Sequence, residues 1–69
     1  MITRTTKDLR LTAKEVLYDP AMLVKVTKEM LAGHQAKPVK IKGDVVIGGY
    51  IYYFVGHCLD LETLNCVEV

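Results

Sequence analysis

Tryptophan is missing from this sequence, phenylalanine occurs once, and cysteine and proline occur twice each. Two cysteines, Cys58 and Cys66, are too few for a disulfide scaffold. Net charge is nearly missing too: nine basic against eight acidic side chains leave +1, which gives no strong pull toward nucleic acid or anionic membrane. No apolar run reaches the ~18–20 residues of a membrane-spanning helix. The longest, Val45 to Val55, is broken by Gly48 and Gly49. The first residues, Met1 to Asp8, carry no apolar export core, so a cytoplasmic protein with two free thiols is expected. Repeats, low-complexity tracts and linkers are absent as well, so residues 1–69 read as a single domain.

What is present is a short, apolar chain. It has 69 residues, 51% of them apolar. That is too apolar, at too low a charge, for a disordered segment. A chain of about 60 residues nonetheless buries only about 60% of its unfolded surface, so its core is marginal. Chains this short commonly add a disulfide, a metal or a partner subunit.

Residues 2 to 6 are rich in threonine and suit an extended segment. Thr12-Ala13-Lys14-Glu15 has capping-box spacing, with Leu11 and Val16 placed as a staple, which predicts a first helical segment over 13–18. Asp19-Pro20 then caps a second helix, running to about Ala32 and closed by Gly33. Met22, Leu23, Val26, Met30 and Leu31 form its apolar face. Val39 and Ile41 alternate with Lys40 and Lys42 as a strand, and Gly43-Asp44 suits a two-residue hairpin turn. Val45 to Val55 reads as the longest strand, 56–62 as a loop or single helical turn, and 63–69 as a last strand. The expected fold is α+β: two N-terminal helical segments on a three-stranded antiparallel sheet, with the N-terminal segment as an optional fourth, edge strand.

The 45–55 segment needs an explanation, because it is apolar at every position where a half-solvated strand would alternate. The hairpin register puts Val39 and Ile41 on one face with Val46, Gly48, Tyr50, Tyr52 and Phe54. Lys40 and Lys42 then share the other face with Val45, Ile47, Ile51, Tyr53 and Val55. A bulge at Gly48-Gly49 would exchange the faces beyond it. Either way one apolar face lacks cover, and large exposed apolar patches are rare on monomers. A partner-binding surface of Lys40, Lys42, Ile47, Tyr50, Ile51, Tyr52, Tyr53 and Phe54 is therefore expected. A homodimer is the simplest cover.

Other chemistries fit less well. Lysines beside aromatics on a sheet suit a nucleic-acid platform, here Lys37, Lys40 and Lys42 with the tyrosines, but acidic Glu62 and Glu68 enter the same sheet. His57-Cys58 with Cys66 lacks the paired spacing of a zinc site. On a strand His57 and Cys58 would point apart, and His34 has no specified thiol, so no nucleophilic pair is defined. Gly48-Gly49 lacks the spacing of a phosphate loop. Residues 50–58, Tyr-Ile-Tyr-Tyr-Phe-Val-Gly-His-Cys, resemble the strand and Gly-His turn of partition-protein and sulfiredoxin-like domains, and Lys37-Pro38-Val39 is similar to the segment before it. Leu59-Asp60 stands where those families place a basic pair, so the resemblance carries no site across.

The expectation is a small non-catalytic interaction module without metal or cofactor, acting as a homodimer. Its size suits a phage or mobile-element accessory protein that binds and inhibits or modulates a host protein. The alternative is a nucleic-acid-binding module using the lysine and aromatic face.

Overall fold

The Asp19-Pro20 pair starts a helix as its chemistry dictates. In the structure, a computed structural model describing residues 2–12 and 17–69, helix α1 spans Pro20–Leu31. The Asp19 carboxylate accepts from the Ala21 amide at 2.9 Å, and Pro20 takes a first-turn position that needs no donor. At the far end Gly33 adopts φ +84°, and the amides of Gly33 and His34 return to the carbonyls of Met30 and Glu29. This double closure satisfies carbonyls that the helix leaves open. The predicted helix over 13–18 falls mostly on residues 13–16, outside the described residues, while Leu17 and Tyr18 are not helical.

The hairpin also follows its sequence. Strands β3 (Val39–Lys42) and β4 (Val45–Gly48) join through Gly43, which takes φ +63°. Lys42 pairs with Val45 and Ile41 with Val46, the expected register. One step later Lys40 pairs with Gly48, so the extra residue is Ile47 and the bulge precedes the glycine pair instead of falling on it.

The predicted strand over 45–55 is wrong beyond Gly48. Tyr50–Cys58 is a helix, α2, entered through Gly49 at φ +66°. Gly49 is required twice over, since a Cβ there would lie 2.9 Å from the Pro38 carbonyl oxygen. The lack of alternation is thus explained without a partner. Tyr52, Val55 and Gly56 are buried and Leu59 is half-buried, and their spacing is helical. The helix ends as α1 does, with Asp60 at φ +56° and the amides of Asp60 and Leu61 on the carbonyls of His57 and Gly56. The two helices are therefore not both N-terminal, and 56–62 is neither loop nor isolated turn.

The remaining strands are β1 (Ile2–Thr5), β2 (Arg10–Leu11) and β5 (Thr63–Glu68), with a 3-10 turn over Thr6–Asp8. The fold is α+β with a five-stranded mixed sheet, in the order β1-β5-β3-β4-β2. The expected antiparallel meander fails because β5 runs parallel to β3, inserted between β3 and β1. Helix α2 provides the crossover that such a parallel neighbour needs. The N-terminal segment is indeed an edge strand.

The two edges, β1 and β2, belong to one stretch of chain separated by residues 6–9. In a flat sheet they would stand four strand spacings apart, about 19 Å. Five chain steps, three of them in a 3-10 turn, cover only about 13 Å. The sheet is therefore curled. Across the gap, Arg4 of β1 donates to the Gly43 carbonyl at 3.3 Å and to the Asp44 carboxylate. The concave side holds the core: Val39, Ile41, Val46, Leu64 and Cys66 from the strands, with Leu9. Val26 and Met30 of α1, and Tyr52 and Val55 of α2, complete it.

Candidate functional site

The eight residues expected to form one contact surface separate onto different parts of the fold. Lys40, Lys42 and Ile47 are exposed on the strands. Tyr52 is a core residue at 7% exposure, and Tyr50, Ile51 and Tyr53 are half-buried against the core. Phe54 alone of the α2 residues in that set is exposed. The aromatic side chains went into the helix with α2, so the lysines and tyrosines no longer make one platform.

The outer side of α2 is a surface of its own. Phe54 is 40% exposed, and Tyr18, just before α1, stacks on it with ring centroids 4.8 Å apart. Leu17 precedes Tyr18 at 97% exposure, and Met22 in the first turn of α1 is 40% exposed. Burial and then the neighbouring Cys58 hold the Tyr18 phenol above its ordinary range. Tyr53, on the other flank, stacks with His57 and donates weakly to the Leu9 carbonyl at 3.4 Å. Tyr18 and Leu17 carried no signal in the sequence, because nothing local says that Tyr18 folds back onto Phe54.

The opposite, convex side of the sheet sets polar side chains around the half-buried Val45 and Val67. Strand alternation sends Lys40 and Lys42 outward from β3, Arg10 from β2, and Thr63 and Asn65 from β5. The Lys40 stem lies across Gly48, whose missing side chain makes room: a Cβ there would meet Lys40 Cδ at 2.9 Å. Val45, between Arg10 and Lys42 in the ladder, is half-buried.

A third feature is a shallow cleft of about 210 Å3 between the end of α1 and β5, lined by His34, Gln35, Thr63 and Asn65 over Met30 and Leu61. Its main polar group is already engaged. Gln35 Nε2 donates to the Asn65 carbonyl at 2.8 Å and to the Lys37 carbonyl at 2.9 Å, while its Oε1 accepts from the Asn65 amide at 3.0 Å. The side-chain amide thereby adds one rung to the β3–β5 ladder, a structural duty. A second hollow of about 310 Å3 lies among Thr5, Lys7, Asp60, Leu61 and Glu62. Ligand pockets usually span ~300–1,000 Å3, so both are at or below the small end.

His57 and Cys58 are exposed neighbours on α2, and Cys66 is wholly buried in the core. Among the described residues no group of three His, Cys, Asp or Glu side chains is placed to hold a metal ion. No described helix is long and apolar enough to cross a membrane. No family model matches the chain, and no curated protein matches it. The segment resembling partition-protein and sulfiredoxin-like domains is helical here, so their strand and Gly-His turn are not reproduced.

Proposed function

We propose that this protein is a small protein-binding module that works without catalysis, and that its contact surface is centred on Phe54. The observation that carries the reading is the apolar group at the start of α1 and the outer side of α2: Leu17, Met22 and Phe54 in water, with Tyr18 stacked beside them. Aromatic side chains held rigidly by a neighbour lose little entropy on binding and are frequent anchors of protein contacts. A second copy of the chain is the first partner to test, since two-fold dimers are the commonest assembly and this chain's own core is small. The alternative is a different protein, which the module would bind and modulate.

Gel filtration with mass detection separates the two. A dimer gives twice the 7.7 kDa of the chain, and Phe54→Asp returns it to a single chain with an unchanged far-UV spectrum. If the wild type runs as a single chain, tagged protein should capture a partner from lysate, and Phe54→Asp should lose it. Equal capture by both would place the contact elsewhere and defeat the reading.

A further inference from the structure

The near-neutral charge of the chain is unevenly placed, and the convex face of the sheet is where it departs from neutrality. Three of the nine basic side chains, Arg10, Lys40 and Lys42, point outward there. Among the described residues no acidic side chain occupies an outward strand position on that face: Glu68 has the inward parity of Ile41, and Asp44 in the turn is held by Arg4. Among the described residues Arg10, Lys40 and Lys42 make no ion pair, so their charges are available to a partner. Neutral Thr63 and Asn65, which also line the cleft at the end of α1, continue the outward row along β5.

We infer that this convex face docks on the sugar-phosphate backbone of duplex DNA through Arg10, Lys40 and Lys42. Their spacing suits a backbone. Lys42, Val45 and Arg10 lie on one row across three strands, so the backbone positions that carry the two charges stand two strand spacings, about 10 Å, apart. That approximates the ~12 Å width of a B-form major groove, with a phosphate chain on each side. Lys40 is two residues along from Lys42, about 7 Å, and so meets a different phosphate on a strand with one charge per ~3.4 Å. In A-form RNA the major groove is deep and narrow, so the phosphate chains on its two sides do not offer the same spacing, which favours DNA. The face carries no aromatic ring, so it has nothing on which to stack the bases of a single strand. It equally lacks the aromatic anchors of a protein contact, which lie on the helical side around Phe54. The inference is independent of the contact proposed there: the two surfaces are on opposite sides of the molecule.

Fluorescence anisotropy with a labelled mixed-sequence DNA duplex of about 20 base pairs tests it. Three phosphates neutralised give a slope of log affinity against log salt near about −2.7, or about 40-fold weaker binding at 200 than at 50 mM salt. The double variant Lys40→Gln, Lys42→Gln should reduce the slope to about −0.9 and the salt effect to about 4-fold. The charge-matched control Lys25→Gln, Lys28→Gln on α1 should bind as the wild type does. All four side chains are exposed, so circular dichroism should show every variant folded. The inference is overturned by no saturable binding at 50 mM salt, or by a control variant that loses as much as the sheet variant. Equal binding of single-stranded DNA or duplex RNA, or stronger competition from polyglutamate, overturns it as well.

Discussion

Single glycines decide how closely this fold packs. Gly56 sits in the middle of α2, where alanine ordinarily stabilises a helix by about 1 kcal/mol. Here a Cβ would stand 2.6 Å from Leu64 Cδ2, and Leu64 is itself fully buried in β5. Overpacking of that kind costs about 1–3 kcal/mol. Gly56→Ala should therefore lower the urea midpoint, the reverse of the helix-propensity expectation, and a raised midpoint would show that Leu64 can give way. Cys66 supplies a pH dependence at the same scale. Burial pushes its thiol above the ordinary range, with Arg4 opposing by a smaller effect. The unfolded chain then loses its proton first as pH rises, so folding stability is full below the ordinary thiol range and falls above about pH 8.5. Unfolding curves at pH 7.5 and 9.5 should show a larger loss in the wild type than in Cys66→Ala, whose own lower stability stays flatter across that window.

Among the elements, α2 shows how one helix divides between core and surface. Ile51 is half-buried and packs against the core, and Phe54, one turn on, is exposed. Ile51→Asp should cost about 2–3 kcal/mol by placing a carboxylate against the core, whereas Phe54→Asp should cost under about 1 kcal/mol. Urea titration of both variants checks the contrast, and equal losses would mean that Phe54 is part of the core. This helix is also where sequence and structure diverge most. Helix α1 was legible because Asp19, Pro20 and Gly33 each have a local duty, and the β3–β4 hairpin because Gly43 and the Val39–Ile41 alternation do. Val45–Val55 offered two signals, a β-rich composition and a missing alternation, and composition points to strand. The helical spacing of Tyr52, Val55, Gly56 and Leu59 was present, but aromatic and β-branched residues mask it, since an apolar run has no dry side to mark its period. The partner surface inferred from that segment inherited the error. Lys40, Lys42, Ile47 and Phe54 are exposed, yet Phe54 on the helical side faces away from the two lysines on the sheet. The insertion of β5 between β1 and β3 has no local cause at all. It follows from Leu64 and Cys66 finding Val39, Ile41 and the edge residue Ile2 across the fold.

At the scale of the whole molecule, the sheet must stay curled for the N-terminal strand to serve both edges. Backbone links fix each edge separately: the Thr6 amide donates to Glu62 at 2.9 Å, and the Arg10 amide to Asp44 at 2.7 Å. Arg4 joins the β1 edge to the β3–β4 turn, to which β2 is itself bonded, through the Gly43 carbonyl and the Asp44 carboxylate. Both side chains of the pair are partly exposed, at 27% and 51%, so solvent screens it and its global worth is about 1 kcal/mol or less. Its local worth is larger in proportion, because edges open at lower free energy than the central strands. Arg4→Met keeps the stem and removes the charge and the donors. It should speed exchange of the Arg10 and Thr6 amides severalfold while Val39 and Ile41, at the centre of the sheet, exchange at wild-type rates. High salt should produce the same pattern in the wild type, since a surface pair at 1 M is screened within about 3 Å. Equal acceleration at edge and centre would mean that Arg4 acts through global stability and that the curl is held by the core alone.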